Sequence, residues 1–110
     1  MADNSAIRLV LTTCANPEEA LRLARTLVEE RLAACATLIP AVQSIYQWEG
    51  KIESAVEVLL LIKTDAEQLT ALEARLNQVH SYPTPEFLAL AVEAVSHPYL
   101  AWLQSSLRRS

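Results

Sequence analysis

Glycine is almost missing from this chain: Gly50 is the only one in 110 residues. One glycine leaves no Gly-rich phosphate cradle and no Walker-type motif, and together with only five prolines it leaves no flexible linker. Cysteine is scarce too, and two residues, Cys14 and Cys35, do not make a disulfide framework. Basic charge is in deficit, with nine Lys and Arg against thirteen Asp and Glu and a net charge of −4. That argues against a nucleic-acid partner, which needs a basic face to displace counterions; the only basic cluster is Arg108-Arg109. No apolar run reaches the ~18 residues of a membrane span. The start, Met1-Ala2-Asp3-Asn4-Ser5, lacks the basic-then-apolar pattern of a secretory signal. These absences predict a cytoplasmic protein with reduced thiols, no nucleic acid and no membrane partner.

What the chain has is apolar surface. Hydrophobic residues reach 52% and charged residues only 20%, against roughly 45–50% and about 25% in average soluble domains. The length predicts a single domain over 1–110, with residues 1–5 as a disordered tail.

Ile7 to Thr13 alternates, with Ile7, Leu9 and Leu11 on one side and Arg8, Val10 and Thr12 on the other, a strand pattern. Asn16-Pro17-Glu18-Glu19 starts a helix: Asn caps, Pro takes the first position and the acids meet the positive end of the dipole. Leu21, Ala24, Leu27 and Val28, with Ala20, form its apolar stripe to about Arg31. Ala33 to Gln47 is β-compatible, and Pro40 within it predicts an edge position or a bulge. In the strand Ala55 to Thr64, Val56, Val58, Leu60 and Ile62 share one face while Leu59 and Leu61 take the other. A strand apolar on both faces is covered on both. Thr64-Asp65-Ala66-Glu67 reads as a capping box ahead of Leu69, Leu72, Leu76 and Val79 at helical spacing. Ser81-Tyr82-Pro83-Thr84-Pro85 breaks that helix. Phe87 to Val92 is the fourth strand, and His97-Pro98 opens a last short helix with Tyr99, Leu100, Trp102, Leu103 and Leu107.

The order β-α-β-β-α-β plus a terminal helix predicts an α+β, ferredoxin-like fold with a long hairpin between the second and third strands. Glu49-Gly50 is its turn, where φ > 0 is needed, and Tyr46 and Trp48 stand near its tip. Two helices cover one face of the sheet. The second face, with Val10, Leu59 or Leu61, and Leu88 or Leu90 expected on it, has no helix left, so self-association is expected.

Over Leu9 to Leu107 the chain resembles the CutA family, the divalent-cation tolerance proteins. The resemblance rests on Leu11-Thr12-Thr13; Glu30-Arg31-Leu32-Ala33-Ala34-Cys35; Ser44 to Glu53; Glu57 through Lys63-Thr64; His80-x-Tyr82-x-x-Pro85-Glu86; and Tyr99-Leu100-x-Trp102. It implies a homotrimer with sheets packed round a threefold axis, an architecture shared with PII signalling proteins, and a role in tolerance of copper and other divalent metals.

Three classes of chemistry follow. Thiolate suits copper(I) and imidazole suits copper or zinc, so Cys14, Cys35 and His80 are the candidate ligands for copper or another divalent ion. The chain departs from the family pattern at Thr12, at Val79 and at Ser81, and Cys35 has a competing reading as a small buried hydrophobe. His80 at a helix C-terminus has one too, against the dipole. The second class is a small-molecule ligand at the subunit interface, with Tyr46, Trp48, Lys63, Tyr82, Glu86 and Trp102 placed near an intersubunit cleft by the motifs that match the family. Those aromatics also suit plain trimer anchors. Catalysis is the third and weakest: no nucleophile–His pattern is recognisable, Glu49, Glu53 and Glu57 read as solvated, and Glu86 beside His80 and Lys63 reads as a structural ion pair. No organic cofactor is implied. The expectation is a non-enzymatic, homotrimeric metal-tolerance protein, with a PII-like effector-binding or scaffold trimer as the alternative.

Overall fold

The period-two pattern near the start becomes strand β1, Ile7–Cys14, in a computed structural model that describes residues 6–109. The tail expected at residues 1–5 lies outside the described residues. Helix α1 spans Pro17–Glu29 and strand β2 spans Cys35–Trp48. Strand β3, Lys51–Asp65, ends in a 3-10 turn at Ala66–Gln68 before helix α2, Leu69–Val79. Strand β4 is Leu88–Ala91 and helix α3 is His97–Ser105. The strands lie in the order β2-β3-β1-β4 with every neighbouring pair antiparallel. This is the expected α+β, ferredoxin-like arrangement.

Local chemistry sets most of the element ends. Asn16 caps α1, its Oδ1 accepting from the Glu19 N–H at 2.9 Å, and Pro17 fills the first helical position. The helix stops two residues short of Arg31, which takes φ 60 and closes a pair of reversed bonds, Arg31 N–H to the Val28 carbonyl and Leu32 N–H to Leu27. The Arg31 side chain then donates to the Ser105 and Ser106 carbonyls at the end of α3, tying the two helix ends together. The capping box expected at Thr64 does not form, because β3 runs through Asp65. The Thr64 hydroxyl is buried and donates to the Leu32 carbonyl at 2.7 Å.

Beyond its body, the sheet extends as a hairpin that makes the molecule 45 Å long and only 25 × 22 Å across. Its turn is two residues, with Trp48 opposite Lys51 and positive φ at Glu49 (51) and Gly50 (78), the mirror-image turn that matches strand twist. Both readings of Pro40 hold: β2 is an edge strand, and its register against β3 shifts between Ile39 and Val42.

The core lies between the sheet and α1 and α2. Val10, Cys14, Leu23, Leu27, Val58, Leu60, Ile62, Leu72 and Leu76 are buried there together. In α1 the stripe is rotated from expectation: Leu23 is buried, whereas Leu21 and Val28 are exposed. Val10 is a second correction. Strand alternation puts it with Thr12 and Cys14 under the helices, and all three are fully buried. The open face instead carries Leu9, Leu11, Leu59 and Leu61, all half-buried, with Ile39, Leu88 and Leu90 exposed. Only one end of that face is closed, where α3 lays Leu103, followed by Leu107, against Ile7 and Ala34. Leu60, in the middle of the central strand pair and fully buried, measures the covered side: Leu60→Ala is expected to lower stability by about 2–5 kcal/mol, read by urea unfolding.

Candidate metal centre

Three elements converge at the C-terminal end of β1. Alternation aims Cys14 at the helices, the first turn of α1 brings Glu19 back over it, and the residue that ends α2 is His80. All three side chains are buried, and their Sγ, carboxylate and ring-nitrogen atoms lie within 4.8 Å of one another. Cys14 Sγ is 3.8 Å from His80 Nε2, and His80 Nδ1 is 3.5 Å from Glu19 Oε1.

The imidazole is held on both sides. A carbonyl oxygen only accepts, so Nε2 carries the proton it places on the Thr13 carbonyl at 2.8 Å. Nδ1 then accepts the Tyr82 N–H at 3.0 Å. With Nδ1 presenting a lone pair, Glu19 Oε1 faces an acceptor and is buried without a hydrogen-bond partner. A buried carboxylate oxygen in that position wants a positive charge. The thiol responds to the same surroundings: burial, then the charges of Glu19 and Glu57 and a hydrogen bond to the Glu19 carboxylate, push Cys14 up to about 12.

Tyr82 joins this cluster to its support. Its ring lies 4.8 Å from that of His80, and its hydroxyl donates to Glu57 Oε2 at 2.7 Å. Glu57 is buried, which corrects its reading as a solvated position. Burial acts to raise its carboxyl, but hydrogen bonds from Ser44, Tyr82 and Thr13 and the nearby His80 outweigh it and hold the group below its ordinary value. Burial first, then Glu57, pushes the Tyr82 phenol well up, so it stays a donor.

Of the sequence candidates, Cys14 and His80 come together and Cys35 does not join them. Cys35 pairs across the sheet with Lys63, and Lys63 with Leu9, which puts both on the open face. There it is half-buried, with the Lys63 ammonium 3.7 Å from its sulfur. The six cleft candidates are spread along the chain: Tyr46 and Trp48 exposed on the hairpin, Lys63 on the open face, Tyr82 under the cluster, and Trp102 exposed on α3. Glu86 is exposed and makes no ion pair among the described residues, so the expected Glu86–His80–Lys63 cluster is not formed. Glu19 and Glu57 were missed. Glu19 gives one signal only, an acid three residues after a capping Asn.

Residues 8–106 match the model of the CutA1 divalent ion tolerance protein family. The chain belongs to that family. It is 46% identical over 110 residues to the divalent-cation tolerance protein CutA of Pectobacterium atrosepticum, covering 98% of this chain and all of that one. It is 44% identical over 99 residues to human protein CutA, covering 90% of this chain and 55% of the relative, about half its length. The crystal structure of CutA from Xylella fastidiosa superposes with a TM-score of 0.92 at 40% identity, over 94% of this chain and 100% of that one. The CutA fold thus accounts for the sheet, the long hairpin and the terminal helix, while the cluster rests on the side chains described above.

Glu57 gives a pH dependence with a definite sign. Its folded value lies below the ordinary 4.5, so its contribution is whole above pH 4.5 and is lost as pH falls through the folded value. Tyr82→Phe removes a donor to that carboxylate and is expected to cost about 1–2 kcal/mol at pH 7. The gap to wild type narrows well below pH 4.5, which urea unfolding at pH 7 and pH 3 measures.

Proposed function

We propose that this chain is a divalent-cation tolerance protein that binds a thiophilic metal ion, copper foremost, through Cys14, Glu19 and His80. The observation that carries this reading is the orphaned Glu19 oxygen facing a ring nitrogen and a thiol in a buried pocket. Cys14 Sγ and His80 Nε2 lie 3.8 Å apart, a separation open to two ligands of one ion at metal–sulfur and metal–nitrogen bonds of roughly 2.3 and 2.0 Å; ligation through Nε2 requires the ring proton to leave the Thr13 carbonyl for Nδ1, beside Glu19 Oε1, at the expense of the Tyr82 N–H bond. Sulfur and imidazole favour copper or zinc over calcium or magnesium, which take oxygen shells. The ion supplies charge neutralisation for a buried carboxylate and a thiolate. Binding rather than catalysis is the function, because a fully buried thiol held near 12 is a poor nucleophile at neutral pH.

The thiol's proton makes the test sharp. Cys14 is protonated at pH 7, so ligation displaces that proton and affinity is expected to rise about tenfold per pH unit. Competition of copper(I) with a chelator at several pH values reads this under reducing conditions, the state expected in the cytoplasm. Cys14→Ser and His80→Ala are expected to weaken binding at least about tenfold. Binding that is flat with pH, or unmoved by both substitutions, would sink the assignment.

The assembly proposed is a homotrimer of three sheets. Its support is the open face together with the hairpin, where Ile45, Trp48, Ile52 and Val56 are each more than 60% exposed. Exposed apolar area on that scale, on both faces of the hairpin, is an association surface. Sedimentation equilibrium at micromolar concentration is expected to return three chain masses, and Ile52→Asp to lower that mass.

A further inference from the structure

Proline strips the stretch after α2 of backbone donors. Pro83 and Pro85 have no N–H, and within residues 81–86 only Tyr82 makes hydrogen bonds among the described residues. Its N–H goes to His80 Nδ1 at 3.0 Å and its hydroxyl to Glu57 Oε2 at 2.7 Å. The stretch then reaches Phe87, packed against the core, and β4. One residue therefore pins the connection from α2 to β4, and one of its two pins is a lone pair on a candidate ligand.

A neutral imidazole has two ring nitrogens and one proton, so it offers one lone pair. In His80 that lone pair sits on Nδ1, because Nε2 donates to the Thr13 carbonyl at 2.8 Å, and the Tyr82 N–H occupies it. Ligation draws on the same lone pair. Through Nδ1, which lies 3.5 Å from Glu19 Oε1, it displaces the amide directly. Through Nε2, which lies 3.8 Å from Cys14 Sγ, it sends the ring proton to Nδ1, and the Tyr82 N–H then faces another donor. Either nitrogen costs Tyr82 the same bond. Its hydroxyl bond to Glu57 involves no ring nitrogen and is spared.

We infer that the Tyr82 amide and a metal ion compete for His80, so that the amide is a latch closed in the empty site and open in the loaded one. This rests on His80 as a ligand, as proposed above, and adds its consequence for the chain. Loading a buried site releases the backbone of the connection between α2 and β4, while Glu57 keeps that connection tethered through the Tyr82 hydroxyl.

The test is NMR on the isotope-labelled full chain in its native assembly, with and without copper(I) under reducing conditions. Without metal, the ring signals of His80 are expected to show the proton on Nε2; a proton on Nδ1 overturns the inference with no metal added. With copper(I), solvent exchange of the Tyr82 amide is expected to speed up roughly three- to tenfold, the loss of one hydrogen bond. The buried β3 amides of Leu60 and Ile62 are expected to exchange no faster, since a ligand of the folded state stabilises it. That contrast separates an opened latch from general loosening. His80→Ala, checked for folding by its melting curve, is expected to leave the Tyr82 amide fast in both conditions. A Tyr82 amide that stays protected while the His80 ring signals shift with copper(I) overturns the latch and leaves the metal reading standing. Ring signals that ignore copper(I) overturn both.

Discussion

A four-stranded sheet that is apolar on both faces, with helices enough for one, is the constraint from which the rest follows. β3 enforces it: Val58, Leu60 and Ile62 are buried under α1 and α2, while Leu59 and Leu61 alternate onto the other side and stay half-buried. A one-residue slip would exchange these sets, so the register of β1 against β3 is fixed from Ile7–Asp65 to Cys14–Val58 by the demand to bury the larger set. That same register decides which chemistry appears where. Cys14 falls on the dry side and Cys35 on the open one, so the two thiols of the chain have different environments despite similar strand settings.

At the C-terminal end of β1 most polar groups are held by hydrogen bonds, although the Thr12 hydroxyl is buried without one. His80 is fixed by the Thr13 carbonyl and the Tyr82 N–H, Tyr82 in turn holds Glu57, and Glu57 also draws on Ser44 and Thr13. The chain after α2 thereby wraps the end of β1, with the backbone of Tyr82 on the imidazole and its hydroxyl on a carboxylate that alternates with the core residue Val58. Left over in this cluster is Glu19 Oε1, one of three buried unpartnered side-chain oxygens among the described residues, with Thr12 Oγ1 and Asp65 Oδ1. An unsatisfied buried carboxylate oxygen costs on the order of 1–3 kcal/mol. The first turn of α1 lowers that cost without removing it, since the helix dipole favours an acid there.

The fold was legible because its signals are local and repeated. Period two in Ile7 to Thr13, Asn16-Pro17 at a helix start and Gly50 at a two-residue turn each fix a backbone conformation by sterics or by one hydrogen bond. Misreadings arose where a tertiary partner decided the outcome. Val10 was placed on the wrong face because alternation gives two sets and not which of them the helices cover. Thr64 looked like a cap until the Leu32 carbonyl, 32 residues away, claimed its hydroxyl. Glu57 looked solvated because its partners, Tyr82 and Ser44, lie 25 and 13 positions away along the chain. The site was half legible: Cys14 and His80 are rare residue types that attract notice, whereas Glu19 is one of thirteen acids and carries no mark of its own.

The sheet also works as an electrostatic partition. Across β1, Thr12 and Cys14 look toward Glu19 and His80, while Leu9 and Leu11 look toward the side where Lys63 lies. Glu19 therefore lies by the end of β1 and Lys63 near its beginning, where Asp65, opposite Ile7, pairs with Arg109. In an apolar interior a charge is felt strongly by its neighbours and is cheapest when a counter-charge arrives from solution. The alternation that leaves one face uncovered also puts Cys14 on the dry side and Lys63 on the open one, so both placements are consequences of one strand register.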